Sequence, residues 1–148
     1  MHATGSRTIV VGVDGSEHAE RALNWAIEEA KLRGCRLNLV SAWHVPSSVF
    51  GGVGFAPSLD QSVEATFREV AEEVAKAAAD RARAAGVEAE TNVQHGQAAD
   101  VLIEGAANAE LLVVGSRGHG GFAGLLLGSV SAQCAHHALC PLVIVREG

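Results

Sequence analysis

The sequence predicts an α/β fold, a three-layer α/β/α open sheet of five mostly parallel strands, and three observations carry that expectation. Five short apolar runs, several rich in β-branched residues, recur along the chain. Stretches with apolar residues at helical spacing separate them. Glycine, serine or aspartate stands where the first and fourth runs end, which is where such sheets place their ligands.

The first run is Thr8 to Asp14, bounded by Gly15-Ser16. A continuous apolar run fits a strand covered on both faces. Ser16 is a good N-cap, and behind it Ala19, Ala22, Leu23, Ala26, Ile27 and Ala30 recur at helical spacing until Gly34 stops the helix. Arg36 to Trp43 is the second strand. His44 to Asp60 carries Pro46, Pro57 and a glycine cluster, and reads as a long loop. Val63, Phe67, Val70, Ala71 and Val74 open a second helix, with Glu64–Arg68 and Glu72–Lys76 as i,i+4 pairs and Gly86 at its end.

Val87 to Gln94 alternates apolar and polar residues, which suits a strand near a sheet edge. Gly96 to Asp100 opens a short helix with Val101, Leu102 and Ala106 inward. Leu111 to Val114 is the fourth strand, and Val130 to Leu139 the last helix. Pro141 starts a final strand, Leu142 to Val145, where its missing N–H does least harm. The order βαβαβαβαβ, with right-handed crossovers, gives the parallel sheet.

The chain of 148 residues suits one domain, residues 1–148. Residues 1–7 lack the apolar core of a signal peptide and are expected to be a flexible N-terminus. No stretch reaches the roughly 18 apolar residues of a membrane span. The net charge of −6 argues against general binding to nucleic acid or an anionic membrane. Three cysteines, Cys35, Cys134 and Cys140, offer no disulfide framework and fit a reducing compartment, so the expected location is cytoplasmic.

The stretch Gly115 to Ser131 holds the chemistry. Six of the chain's 17 glycines fall between Gly115 and Gly128, after an apolar strand and before a hydroxyl-bearing helix start. Glycine lets backbone N–H groups turn toward an anion, and a helix N-terminus adds unpaired donors. A P-loop is excluded here, because no lysine follows Lys76. Gly118-x-Gly120-x-x-Ala123 imitates a dinucleotide fingerprint but follows the fourth strand instead of the first, and is rejected. The spacing that fits is Gly115-x2-Gly118-x9-Gly128-Ser129.

With that spacing, the opening strand ending in Asp14 and the Cys140-Pro141-Leu142 ending, the chain resembles the universal stress protein family in its ATP-binding branch, along essentially its whole length. The resemblance implies a Rossmann-like sheet in the order 3-2-1-4-5 that binds an adenine nucleotide. It implies that Asp14 lies beside the nucleotide, with Gly12 and Val13 lining the same pocket. Backbone groups at Ala42 would read the edge of adenine. Gly115 and Gly118 would approach the ribose and phosphates, after Val114 and with Arg117 between them. Gly128, Ser129, Val130 and Ser131 would hold the phosphates. The physics agrees: hydroxyl and N–H groups suit phosphate, and a small Ala42 leaves room for a flat base. Two departures stand out, Glu110 where the family usually has aspartate and Ala98 where a proline often opens the helix.

Several of these residues have a plainer reading. Asp14-Gly15-Ser16 is also turn chemistry, Ser129 also suits an N-cap, and Arg117 also suits a solvated surface. His119 fits an exposed loop. Cys134, His136, His137 and Cys140 lack structural zinc spacing and fit core or interface packing. Phe122, Leu125, Leu126 and Leu127 fit packing over the last helix.

Three functions follow. The first is an ATP-binding regulator or sensor of the stress response, with ATP or another adenine nucleotide and Mg²⁺ as ligands. The second is a slow Mg-dependent ATPase or nucleotidyl-transferring enzyme, with Asp14 holding Mg²⁺ through the phosphates. No catalytic base is assigned for it. The third is a nucleotide-free dimeric scaffold. The apolar edge strand Leu142–Val145 needs a cover, and in related proteins a symmetric partner supplies it, so a homodimer is expected.

Overall fold

The computed structural model describes residues 7–46, 58–117 and 127–146. Among the described residues five strands and four helices alternate: β1 (Thr8–Gly12), α1 (Glu17–Arg33), β2 (Arg36–Trp43), α2 (Ser58–Ala84), β3 (Ala89–His95), α3 (Ala98–Gly105), β4 (Leu111–Gly115), α4 (Ser129–His137) and β5 (Leu142–Val145). All pairings are parallel, in the order β3-β2-β1-β4-β5. That is the 3-2-1-4-5 order expected.

The alternation within the apolar runs builds two cores. Ile9 and Val11 of β1, Leu37 and Leu39 of β2, and Leu111 and Val113 of β4 face α1 and α2. Val10, Val40, Leu112 and Val114 point the other way, against Val101 and Leu102 of α3 and Cys134 of α4. β1 and β4, covered on both faces, therefore need an apolar residue at nearly every position, which is why those two runs are continuous, while β2 admits Asn38 and Ser41.

Local chemistry sets the ends of α1. Ser16 Oγ accepts the Ala19 N–H at 3.1 Å, a cap worth about 1 kcal/mol. At the other end Gly34 adopts a left-handed φ of 69°, and Cys35 N donates to Ala30 O at 3.0 Å.

Four expectations need correction. Helix α2 begins at Ser58, inside the segment read as a loop. Residues 47–57 of that segment lie outside the described residues. Lys76 reaches forward to Asp80, at 3.0 Å, and not back to Glu72. Helix α4 runs one residue earlier and ends two earlier than read, with Gly128 as its N-cap; Ser129 is the first helical residue. Arg7, expected in a flexible N-terminus, is held. Its guanidinium meets Glu110 at 3.0 Å and its carbonyl accepts the Arg36 N–H at 3.2 Å.

Glu110 also meets Arg33 at 3.4 Å, which in turn pairs with Glu29 at 2.6 Å. The hydrogen bond and charge of Arg7 hold the Glu110 carboxyl below its usual range. Glu110 thus joins the residue before β1, the end of α1 and the start of β4. Among the described residues, no helix is long and apolar enough to cross a membrane.

Candidate functional site

Strand order alone marks where a ligand belongs. From β1 the chain goes to β2 on one side, while β4 lies on the other, so a crevice opens at their carboxyl ends. A cavity sits there. Its β1 wall is Gly12, Val13 and Asp14, and its β4 wall is Val114, Gly115 and Arg117. Ala42 at the end of β2 closes one side, and Val130 and Ser131 of α4 close another. Nine residues expected from the sequence thus meet at one hollow. Gly128 and Ser129 stand at the adjoining start of α4. Gly118, His119, Phe122, Leu125 and Leu126 lie outside the described residues.

Each wall has a local cause. Val13 extends past β1 yet still donates to Val40 O at 2.9 Å, which holds the turn that follows it. In that turn the Asp14 carboxylate accepts the Ser16 N–H at 2.9 Å, and Gly15 takes a φ of 84°. Asp14 remains exposed at the cavity mouth. Both readings of Asp14 therefore coexist: it shapes the turn and it lines the cavity.

Gly115 has a second duty that its sequence position does not announce. A Cβ there would lie 2.6 Å from the His18 carbonyl oxygen and 2.7 Å from its carbon. The first turn of α1 rests directly on the end of β4, and only glycine permits it. Gly12 is also crowded, but by a side chain: a Cβ would lie 2.9 Å from Leu102 Cδ1.

The start of α4 carries the polar side of the cavity. The first backbone hydrogen bond of that helix runs from Ala132 N to Gly128 O, at 3.0 Å. The amides of Ser129, Val130 and Ser131 therefore have no acceptor within the helix. The Ser129 side chain is exposed, whereas Ser131 is 2% exposed. Arg117 supplies a positive charge on the facing wall. Orphan amides, a helix N-terminus and a guanidinium together suit an anion.

The remaining lining is apolar and was not expected as part of the site. Ala19, Val40, Ala98 and Leu102 complete it. Ala98, noted only as a departure from a proline, turns out to stand at the cavity. The signal available was register: Val40 and Ala42 share a face of β2, and the chain leaves the neighbouring β3 straight into α3. Beside them Trp43 and His95 stack edge to face with centroids 4.6 Å apart.

The cysteine–histidine cluster lies apart from this cavity. Cys134 is fully buried on the inner face of α4, and burial pushes the pKa of its thiol up to about 11. His136 and His137 are exposed, with ring centroids 6.1 Å apart.

A family model described as the universal stress protein family matches residues 5–146. The chain belongs to the universal stress protein family. A universal stress protein of Mycobacterium tuberculosis is 36% identical over 149 residues, an alignment covering 95% of this chain and 48% of that protein. The chain spans about half the length of the curated relatives it matches. Among solved structures, a universal stress protein in complex with cAMP is 30% identical with a TM-score of 0.66, covering 98% of this chain and 100% of that one. The universal stress protein from Archaeoglobus fulgidus in complex with dAMP is 27% identical with a TM-score of 0.67, covering 95% and 98%.

Proposed function

We propose that this universal stress protein binds an adenine nucleotide, ATP with Mg²⁺, and acts as a nucleotide-dependent regulator or sensor in a stress response. The observation that carries the reading is the cavity at the β1–β4 crevice, apolar at Ala42, Ala98 and Leu102 and lined with donors at the start of α4. A flat base suits the first part and phosphates the second. Family members whose solved structures hold cAMP and dAMP support the same ligand class.

In this reading Gly12, Val13, Ala42 and Val114 surround the base and ribose. Gly115, Arg117 and Gly118 approach the phosphates from β4, and Gly128, Ser129, Val130 and Ser131 from α4. Asp14 stands where a phosphate-bound Mg²⁺ would meet a carboxylate. A carboxylate and phosphate oxygens are the hard ligands Mg²⁺ takes. Holding the nucleotide is favoured over breaking it, because Arg117 is the basic side chain at the cavity and no lysine lines it among the described residues.

Binding should be visible as stabilisation. Mg-ATP at a hundredfold excess over Kd adds about 2.7 kcal/mol. For a domain of this size that raises the unfolding midpoint by roughly 5–11 °C. An unchanged midpoint would remove both the sensor and the ATPase readings. Phosphate release measured on the same sample separates those two: a rate equal to the buffer's leaves the sensor.

The proposal extends to assembly and place. The chain works as one domain in the cytoplasm and pairs with a second copy through β5. Leu142, Val143, Ile144 and Val145 are all half-buried at the sheet edge, which leaves apolar side chains and one backbone ladder uncovered. Sedimentation at micromolar concentration should show a dimer, and Val143→Lys should shift it to monomer. A parent that sediments as a monomer defeats this part alone.

A further inference from the structure

Ser131 is nearly fully buried, and its hydroxyl is already committed. It lies 2.9 Å from Ser116 O and 3.1 Å from Gly128 O, both of them acceptors. The same Ser116 carbonyl accepts the Gly128 N–H at 2.7 Å. Ser116 N in turn donates to Val145 O at 3.0 Å, so the carbonyl is fixed to the sheet. Two donors from the α4 side therefore converge on one oxygen at the end of β4.

A hydroxyl has one hydrogen. A phosphate oxygen accepts and does not donate near neutral pH, so Ser131 cannot bond it without giving up both carbonyls, Ser116 O and Gly128 O. Ser129 is under no such constraint. Its side chain is exposed at the first position of α4.

We propose that Ser131 is a positioning residue and not a side-chain phosphate ligand: its hydroxyl fastens the start of α4 to Ser116, and so fixes the gap between the amides of α4 and the Gly115–Arg117 wall. The side-chain contact to phosphate then falls to Ser129. This rests on the nucleotide reading above and divides the labour of two serines that the resemblance groups together. Affinity depends on the gap because donors held in place before binding lose less freedom on binding.

Two readouts on the same variants separate this role from the alternatives. One is hydrogen exchange at the Gly128 amide in nucleotide-free protein, with amides of β1 and β2 as controls for global unfolding. The other is calorimetric affinity for Mg-ATP. Ser131→Ala should speed Gly128 exchange about tenfold, leave the β1 and β2 amides unchanged, and weaken Mg-ATP about tenfold, the size of one lost neutral hydrogen bond. Ser131→Thr keeps the hydroxyl and should restore both. Ser129→Ala should weaken Mg-ATP without touching Gly128 exchange.

Unchanged Gly128 exchange in Ser131→Ala overturns the fastening. Faster exchange with unchanged affinity overturns its role in binding. A parent that binds no Mg-ATP sinks the nucleotide reading and the binding role with it, while the exchange result still decides whether the fastening exists.

Discussion

Gly115→Ala should cost about 3 kcal/mol of stability, the upper end of what overpacking a well-fitted interior costs. The methyl group would overlap the carbonyl of His18, at 2.6 Å from its oxygen. Backbone is the obstacle, so no rotamer change relieves it. Either α1 lifts off β4 or β4 bends, and both disturb a core in which Ala22, Ala26, Leu111 and Val113 are fully or nearly fully buried. The urea midpoint should fall with little change in slope, and the thermal midpoint by roughly 6–12 °C. Gly115→Val, which adds two more carbons, should be worse. A midpoint for Gly115→Ala within error of the parent would mean that α1 does not rest on β4 as described.

That expectation shows what the sequence does and does not disclose. The strands were legible because burial on both faces demands apolar residues at every position, and Ile9-Val10-Val11 and Leu111 to Val114 supply them. The ends of α1 were legible because Ser16 and Gly34 have chemistry specific to caps. The first turn of α2 was not. Ser58 to Asp60 shows no apolar period, and it follows a segment rich in proline and glycine. Lys76 has a carboxylate four residues away on either side, Glu72 and Asp80, so spacing alone does not choose between them.

At the site, the residue types were legible and their duties were not. Glycine at 115 is compatible with a ligand's approach or with a helix's, and only the crossing of α1 over β4 reveals the second. A serine at 131 advertises a hydroxyl, but not that its oxygen lies 2.9 Å from the Ser116 carbonyl. Ala98 and Leu102 carry no polar group to attract notice, and they became wall residues only once α3 was laid over β1 and β2.

Gly12 should behave in the opposite way to Gly115, and the contrast tests the cavity itself. A Cβ at Gly12 would meet Leu102 Cδ1 at 2.9 Å and Cδ2 at 3.2 Å. Those atoms end a flexible side chain that lines the cavity, so the strain is relieved by turning Leu102 into the open space. Gly12→Ala should therefore lower the midpoint by only about 1 kcal/mol equivalent. It should weaken Mg-ATP about tenfold or more, because the space offered to the base shrinks. Trimming the obstacle should restore binding: Gly12→Ala with Leu102→Val should bind more tightly than Gly12→Ala alone. Neighbours sharing a cavity typically couple by about 0.5–3 kcal/mol, and calorimetry over the four members of the cycle measures the coupling. If the two substitutions simply add in affinity, Leu102 does not enter the cavity and the base is held elsewhere. If affinity is unchanged throughout while Gly12→Ala loses several kcal/mol of stability, Leu102 is clamped in the core and Gly12 is there for packing, as Gly115 is.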